Sequence, residues 1–372
     1  MKLNIGIDAT FVIKDKRGMG RFVRNLLKKF YLIDQDINFT LMYNSAFESY
    51  ENIKEFNKVY NWNIASFREH INLDIMWFPW SRIDILQDYK KIVNIYDVNP
   101  FIFLNSSSKQ DQKRIKYAAE NSDLIMTTSY FSRSEIVKYL GVDQDKVKVV
   151  YPGIDDVFRD KKLDMKEREA LRNKYCICAD YILYVGTEDK RKNIKGLINA
   201  FREFKKENHS DIKLVIAGDF HKRILFNNLI NNDIFSQIKK LKLEKDIIIV
   251  ENPDDEKLND LYNTAEIFVF PSFYEGFGFQ VVEAMKTALP VACSRGSSLS
   301  EIAADAAEYF DPEDTKELSY LINKLIINRD LRSDMVKKGL IISEIFSFEK
   351  CALDYMKIFK NIIVKNKIND NS

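Results

Sequence analysis

Cysteine is scarce: the chain of 372 residues has four, Cys176, Cys178, Cys293 and Cys351, and none stands in a Cys-x-x-Cys pair. An oxidised scaffold would be denser in cysteine, so free thiols in a reducing compartment are expected. Cys176 and Cys178 flank Ile177 and are spaced to share one strand face. The three histidines, His70, His209 and His221, are scattered, which leaves the cysteines without zinc partners. No apolar run reaches the ~20 residues that span a bilayer. Met1 leads straight into a strand-like run at 3–7 with no apolar signal-peptide core. A cytoplasmic protein is expected, at most touching the inner face of the plasma membrane. An excess of one charge is missing too: 57 Lys and Arg face 55 Asp and Glu, so nothing suggests a nucleic-acid partner.

What is present points to two domains. The length exceeds what one hydrophobic core usually covers. Hydrophobic residues at 46% and charged residues at 30% suit a soluble globular chain. Strands are predicted at 3–7, 39–43, 75–78, 92–95, 124–127 and 147–150, then at 181–185, 213–217, 247–250 and 267–270, with a further one entered through Leu289 to Ala292. Helices are predicted between them at 20–32, 47–58, 110–120, 132–139, 194–206, 221–241 and 255–264, and a long one at 348–368. Ser132 is a predicted N-cap, with Glu135 three residues on as in a capping box. Such alternation predicts a parallel α/β architecture. A charged stretch at 159–172 opens the second half.

The most informative stretch is 267–293, IFVFPSFYEGFGFQVVEAMKTALPVAC. It reads strand, turn, helix, strand. Glu275 falls in the turn, at the carboxyl end of the strand, where open α/β sheets bind ligands. Gly276 and Gly278 bracket Phe277 and allow close approach to backbone. Phe279 opens the helix, and Glu283 lies inside it among apolar residues. A helix amino end favours an anion, and two carboxylates accept hydrogen bonds from hydroxyls. The expected ligand is therefore anionic and hydroxyl-rich.

Four other places carry chemistry. Lys16-Arg17-Gly18-Met19-Gly20-Arg21 follows the first strand, but Val23 takes the third glycine position of a dinucleotide fingerprint. Gly186-Thr187-Glu188-Asp189-Lys190-Arg191-Lys192-Asn193 sets cations after a strand end, where they suit a diphosphate. Tyr96-Asp97 ends a first-half strand. Ser129 precedes a helix and is expected to line a cleft. Asp34-Gln35-Asp36 and Asp143-Gln144-Asp145 have metal-motif spacing but sit in helix-end or loop contexts, so no metal site is expected.

The Glu275-x7-Glu283 spacing around Gly-Phe-Gly, ahead of Ala284-Met285 and Pro290, resembles the donor-sugar motif of family-4 retaining glycosyltransferases. The likeness runs on through 297–312, and IGIDATF with RGMGRFVRNLL is similar to the opening of the mannosyltransferase-like group 1 members. It covers nearly the whole chain and is most specific at 181–312. It implies the GT-B fold, two Rossmann-like parallel-sheet domains facing a central cleft. The acceptor-side domain would be 1–158 with the C-terminal helix 346–372 packed back on it, and the donor-side domain 159–345.

The resemblance also implies roles. Glu275, Lys192, Arg191 and Asp97 would be catalytic. Gly18, Gly20, Gly186, Thr187, Gly276, Phe277, Gly278, Phe279 and Glu283 would bind the donor, and Tyr96 and Ser129 would face the acceptor. The donor would be GDP-mannose or a UDP-sugar, handled without a metal. The acceptor would be a glycan or lipid-linked oligosaccharide, as in O-antigen or capsule assembly. The chain departs from the family at Thr187, where an arginine is common, and at Tyr96, where a histidine is. Glu275→Ala is expected to abolish transfer and leave the fold intact. The helix at 20–32 mixes basic and apolar residues, which suits either an anionic membrane or packing on the first sheet. A non-catalytic glycan-binding or assembly module, or a sugar-nucleotide epimerase, stands as the alternative.

Overall fold

The computed structural model describes residues 2–15, 18–33, 37–84, 87–104, 108–208, 210–220 and 233–369, with their side chains except those of 233 and 364–369. Lys16, Arg17, Asp34, Asp36, His209 and the 221–232 part of a predicted helix lie outside the described residues. The chain divides into two compact units, Met1–Asp155 with Phe346–Ser372, and Asp156–Ile345.

In the first unit seven strands form one sheet: β1 (Leu3–Asp8), β2 (Ile37–Tyr43), β3 (Asn63–Ser66), β4 (Ile75–Phe78), β5 (Lys90–Asn94), β6 (Leu124–Thr127) and β7 (Val147–Val149). All pairs are parallel and the order is β3-β2-β1-β4-β5-β6-β7. The apolar runs are continuous because both faces are covered. In β4, Ile75 and Trp77 enter one core and Met76 and Phe78 the other. The helix Gly18–Ile33 buries Phe22, Val23, Leu26, Leu27 and Phe30 in the first of these cores. Its apolar face is thus used within the unit, in line with the expectation that it packs on the first sheet. The C-terminal helix Phe348–Asn369 adds Tyr355 and Phe359 to the same core. Trp77 Nε1 donates to Asn94 Oδ1 at 2.7 Å and Asn94 Nδ2 to the Tyr355 hydroxyl at 2.6 Å, so these buried polar groups are paired.

The second unit holds β8 (Tyr181–Val185), β9 (Lys213–Gly218), β10 (Ile247–Glu251), β11 (Ile267–Phe270), β12 (Val291–Ser294) and β13 (Ala307–Phe310), again all parallel, in the order β10-β9-β8-β11-β12-β13. Chain direction across the sheet reverses between β8 and β11, as it does between β1 and β4 in the first unit. Such switch points are where open α/β sheets bind ligands.

Several local expectations change. β3 and β13 were not predicted; each is a short edge strand. Ser132 is not an N-cap: the helix Tyr130–Leu140 starts two residues earlier, and Ser129, in extended backbone, takes the Ser132 N–H on its Oγ at 2.9 Å. Cys176 and Cys178 share no strand; both are exposed in a connection where Cys176 has φ 59°. Among the described residues no helix is long and apolar enough to cross a membrane.

Candidate functional site

The site of the second unit grows from the ends of the neighbouring strands β8 and β11. Gly186, just after β8, donates its N–H to Ala217 O at 2.9 Å. Beyond it, Asp189 Oδ1 accepts from Arg191 N at 2.9 Å and bends the chain into a 3-10 turn, Lys190–Lys192. Asn193 closes that turn in the left-handed region, φ 52°, and its amide reaches Pro312 O at 2.7 Å. The turn thereby aims two adjacent cations at the end of β11. There Pro271 stops the strand, and the loop brings Ser272 and Glu275 to meet them.

Glu275 is 7% exposed and receives three donors. Lys192 Nζ lies 2.7 Å from Oε1, Arg191 Nη1 2.9 Å from Oε2, and Ser272 Oγ donates to Oε1 at 2.6 Å. Arg191 Nη1 also donates to Tyr274 O at 2.7 Å, and Phe273 N to Arg191 O at 2.8 Å, so the two loops are stitched through backbone as well. Lys192 Nζ sits 4.9 Å from the centre of the Phe270 ring. Burial by itself would raise the Glu275 pKa; the Lys192 and Arg191 charges outweigh it and hold the carboxyl below its usual range. Burial and Arg191 pull Lys192 downward against the attraction of Glu275. Asp189 Oδ2 lies 3.8 Å from Arg191 Nη2 as well, so the two cations are held between two carboxylates.

Downstream, Gly278 turns the chain at φ 98° and precedes the helix Phe279–Lys286, which has no side-chain cap. Gly276 and Phe277 are buried, and the Phe277 and Phe279 rings meet at 5.0 Å. Glu283 is buried in that helix and accepts from the Tyr262 hydroxyl at 3.0 Å through Oε2. Thr187 is exposed beside the 3-10 turn. The structure thus joins Glu275, Lys192 and Arg191 directly, and places Gly186, Gly276, Phe277, Gly278, Phe279 and Glu283 on the same two strand-to-helix connections.

In the first unit several expected ligand contacts have other work. A Cβ on Gly20 would stand 1.9 Å from Asp15 O, so that glycine is needed for packing. Gly18, by contrast, faces open space. The Tyr96 hydroxyl donates to Pro79 O at 2.9 Å, and its ring meets Phe22 edge-on. Burial raises its pKa further, so it is no neutral-pH base. Asp97 Oδ1 accepts from Asn99 N at 3.0 Å. Ser129 is fully buried as a helix cap.

Three contributors were missed. Ser272 lies in the turn after β11, where its residue type alone does not mark it as a partner of Glu275. Tyr262 is distant in sequence from Glu283, and nothing in its own helix marks it. Asp8, the last residue of β1, is fully buried at the first unit's switch point. Its Oδ1 accepts from Thr10 N at 3.0 Å, and Oδ2 has no hydrogen-bond partner. Burial lifts its pKa from 3.8 to about 7; Thr10 and Arg82 oppose the rise and Asp84 adds to it. Arg82 is itself held by Asp84 at 2.7 Å and lies over the Phe11 and Phe47 rings at 5.0 and 5.2 Å.

Residues 168–340 match the family model described as glycosyl transferases group 1. The O-antigen chain mannosyltransferase B of Escherichia coli is 29% identical over 250 residues, 67% of this chain and 63% of that protein. The chain therefore aligns with somewhat under two thirds of that relative's length. A glycosyltransferase crystal structure from Rickettsia africae superposes with a TM-score of 0.72 at 18% identity, over 98% of this chain and 99% of its own. HepE of Anabaena, solved with UDP and glucose, superposes with a TM-score of 0.74 at 14% identity, over 97% of this chain and all of its own. Residues 168–340 thus resemble the group 1 glycosyl transferases, in a chain whose fold is that of GT-B structures.

Proposed function

We propose that the protein is a retaining hexosyltransferase that moves mannose from a nucleotide diphospho-sugar to a glycan in cell-surface polysaccharide assembly. The observation that carries this reading is the buried Glu275–Lys192–Arg191 cluster at the switch point between β8 and β11. The name of the E. coli relative favours mannose, and hence GDP-mannose; the UDP of the Anabaena structure keeps UDP-sugars second. The acceptor is a growing lipid-linked O-antigen or capsule chain.

As the bond from the anomeric carbon to the phosphate oxygen breaks, negative charge grows on the leaving diphosphate. Arg191 and Lys192 are already fixed in place, so they stabilise that charge without reorganising. The acceptor hydroxyl attacks from the same face, and its proton passes to a leaving phosphate oxygen. No protein base is required on this route, and the basic residues take the place of a metal. Glu275 and the Gly276–Gly278 backbone hold the sugar, and Glu283 accepts from the ribose hydroxyls.

A panel of nucleotide sugars followed by thermal melting tests the reading, because a ligand that binds only the folded state raises the midpoint. GDP-mannose should give the largest rise, and purified acceptor lipid should then yield transferred mannose. A panel in which no nucleotide sugar shifts the midpoint sinks the proposal.

A further inference from the structure

A cavity of about 430 Å³ opens in the first unit, away from its switch point, beside the edge strand β7. That size lies within the range of small-ligand pockets. Its wall is apolar: Leu124 of β6, Val147 and Val149 of β7, and Ile358 and Ile362 of the C-terminal helix. Its polar lining is unbalanced, since Arg133, Lys148 and Lys357 face a single carboxylate, Asp354. The Arg133 Nε is buried and has no hydrogen-bond partner, although Nη2 of the same side chain donates to Gln144 O at 3.1 Å. A lysine on an edge strand often serves only to block strand pairing. That role explains Lys148 but neither the apolar wall beside it nor the cations from two helices.

We propose that this cavity binds a hydrocarbon chain carrying a phosphate head. The chain lies along the valine and isoleucine wall, and the phosphate is held by Arg133, Lys148 and Lys357. Arginine offers a two-pronged grip on phosphate and the lysines act as point charges. An apolar chain alone would leave the cations unused, and inorganic phosphate alone would leave the wall wet. The inference is independent of the reading of the donor site.

The test uses the full chain and dodecyl phosphate as monomer, measured by calorimetric titration, with dodecyl maltoside and inorganic phosphate as controls. Dodecyl phosphate should bind at least tenfold more tightly than either control, and more weakly as salt rises. The exposed or half-exposed pair Lys148→Glu and Lys357→Glu together should weaken it at least tenfold without moving the melting midpoint of the free protein. Flotation with phosphatidic acid vesicles, absent with phosphatidylcholine alone and lost in the double variant, would identify the source as a membrane lipid. Monomer binding without flotation would identify a soluble lipid phosphate. Equal binding of the neutral surfactant, or an affinity that the double variant leaves unchanged, overturns the site.

Discussion

Two buried carboxylates stand at the two switch points, and they behave in opposite ways. Glu275 follows β11 and is met by Lys192, Arg191 and Ser272, which keep it ionised despite burial. Asp8 ends β1 with one oxygen unpartnered, and burial pushes its pKa up to about 7. Both stand at a switch point but on opposite sides of it, Asp8 at the end of the first strand of its unit and Glu275 after the fourth strand of the other, and each is met by the loop across the switch point. The β8 connection delivers two adjacent cations, whereas the loop after β4 delivers an Arg82 whose charge is held by Asp84. A carboxylate at a switch point is therefore a fixed charge in one unit and a titratable group in the other, according to the cations that the facing loop brings.

The sharpest way to break the comparison is to remove Glu275. The earlier expectation that Glu275→Ala would leave the fold intact changes here, because it strands Lys192 and Arg191 in a buried site. Breaking a buried pair costs roughly 3–5 kcal/mol, so a urea melt should show a loss on that order. Glu275→Gln keeps the shape and is the better probe of transfer; full turnover in that variant would remove Glu275 from the chemistry.

Asp8→Asn tests the other side, and the sign follows from the raised pKa. The folded state keeps the proton that the unfolded state releases above 3.8, so wild-type stability falls as pH rises from there to about 7. Asparagine does not titrate. Its advantage over wild type should grow by up to about 1.4 kcal/mol per pH unit across that window and then level off. A gap that stays flat from pH 4 to 8 would show that Asp8 is ionised throughout. Glu275 gives the reverse dependence: its depressed pKa supplies stability above about pH 4.5 that is lost on acidification.

Smaller effects refine the picture. Ser272→Ala removes one donor from a carboxylate that keeps two cations, and should cost about 1–2 kcal/mol with a measurable rise in KM for the donor. Ser129→Ala removes a helix cap and should cost about 1 kcal/mol with no change in donor affinity. An altered KM for the acceptor in that last variant would support the acceptor-side reading of Ser129.

Most of the framework was legible in the residues. β4, β6, β8 and β11 fall where continuous apolar runs placed them, since a strand buried on both faces has no other composition open to it. The edge strands β3 (NIAS) and β13 (AEYF) lack that pattern, because an edge strand needs less burial. Within the site, the meeting of Glu275 with Lys192 was implied only by resemblance, because 83 positions separate them and no periodicity links them. Ser129 and Ser132 were indistinguishable as caps until backbone torsion chose between them. Asp8 falls just past the strand expected at 3–7, and only its surroundings reveal that one oxygen has no partner.

The chain leaves the first unit after Asp155 and returns to it at Phe346. Tyr355 and Phe359 fill a core whose other members, Phe30, Trp77 and Ile5 among them, lie hundreds of residues earlier. During synthesis those residues wait for partners that follow only after the whole of the second unit. The core these residues share therefore cannot close until the second unit has been made, whereas Asp156–Ile345 is continuous and has all of its strands before the helix Phe348–Asn369 leaves the ribosome.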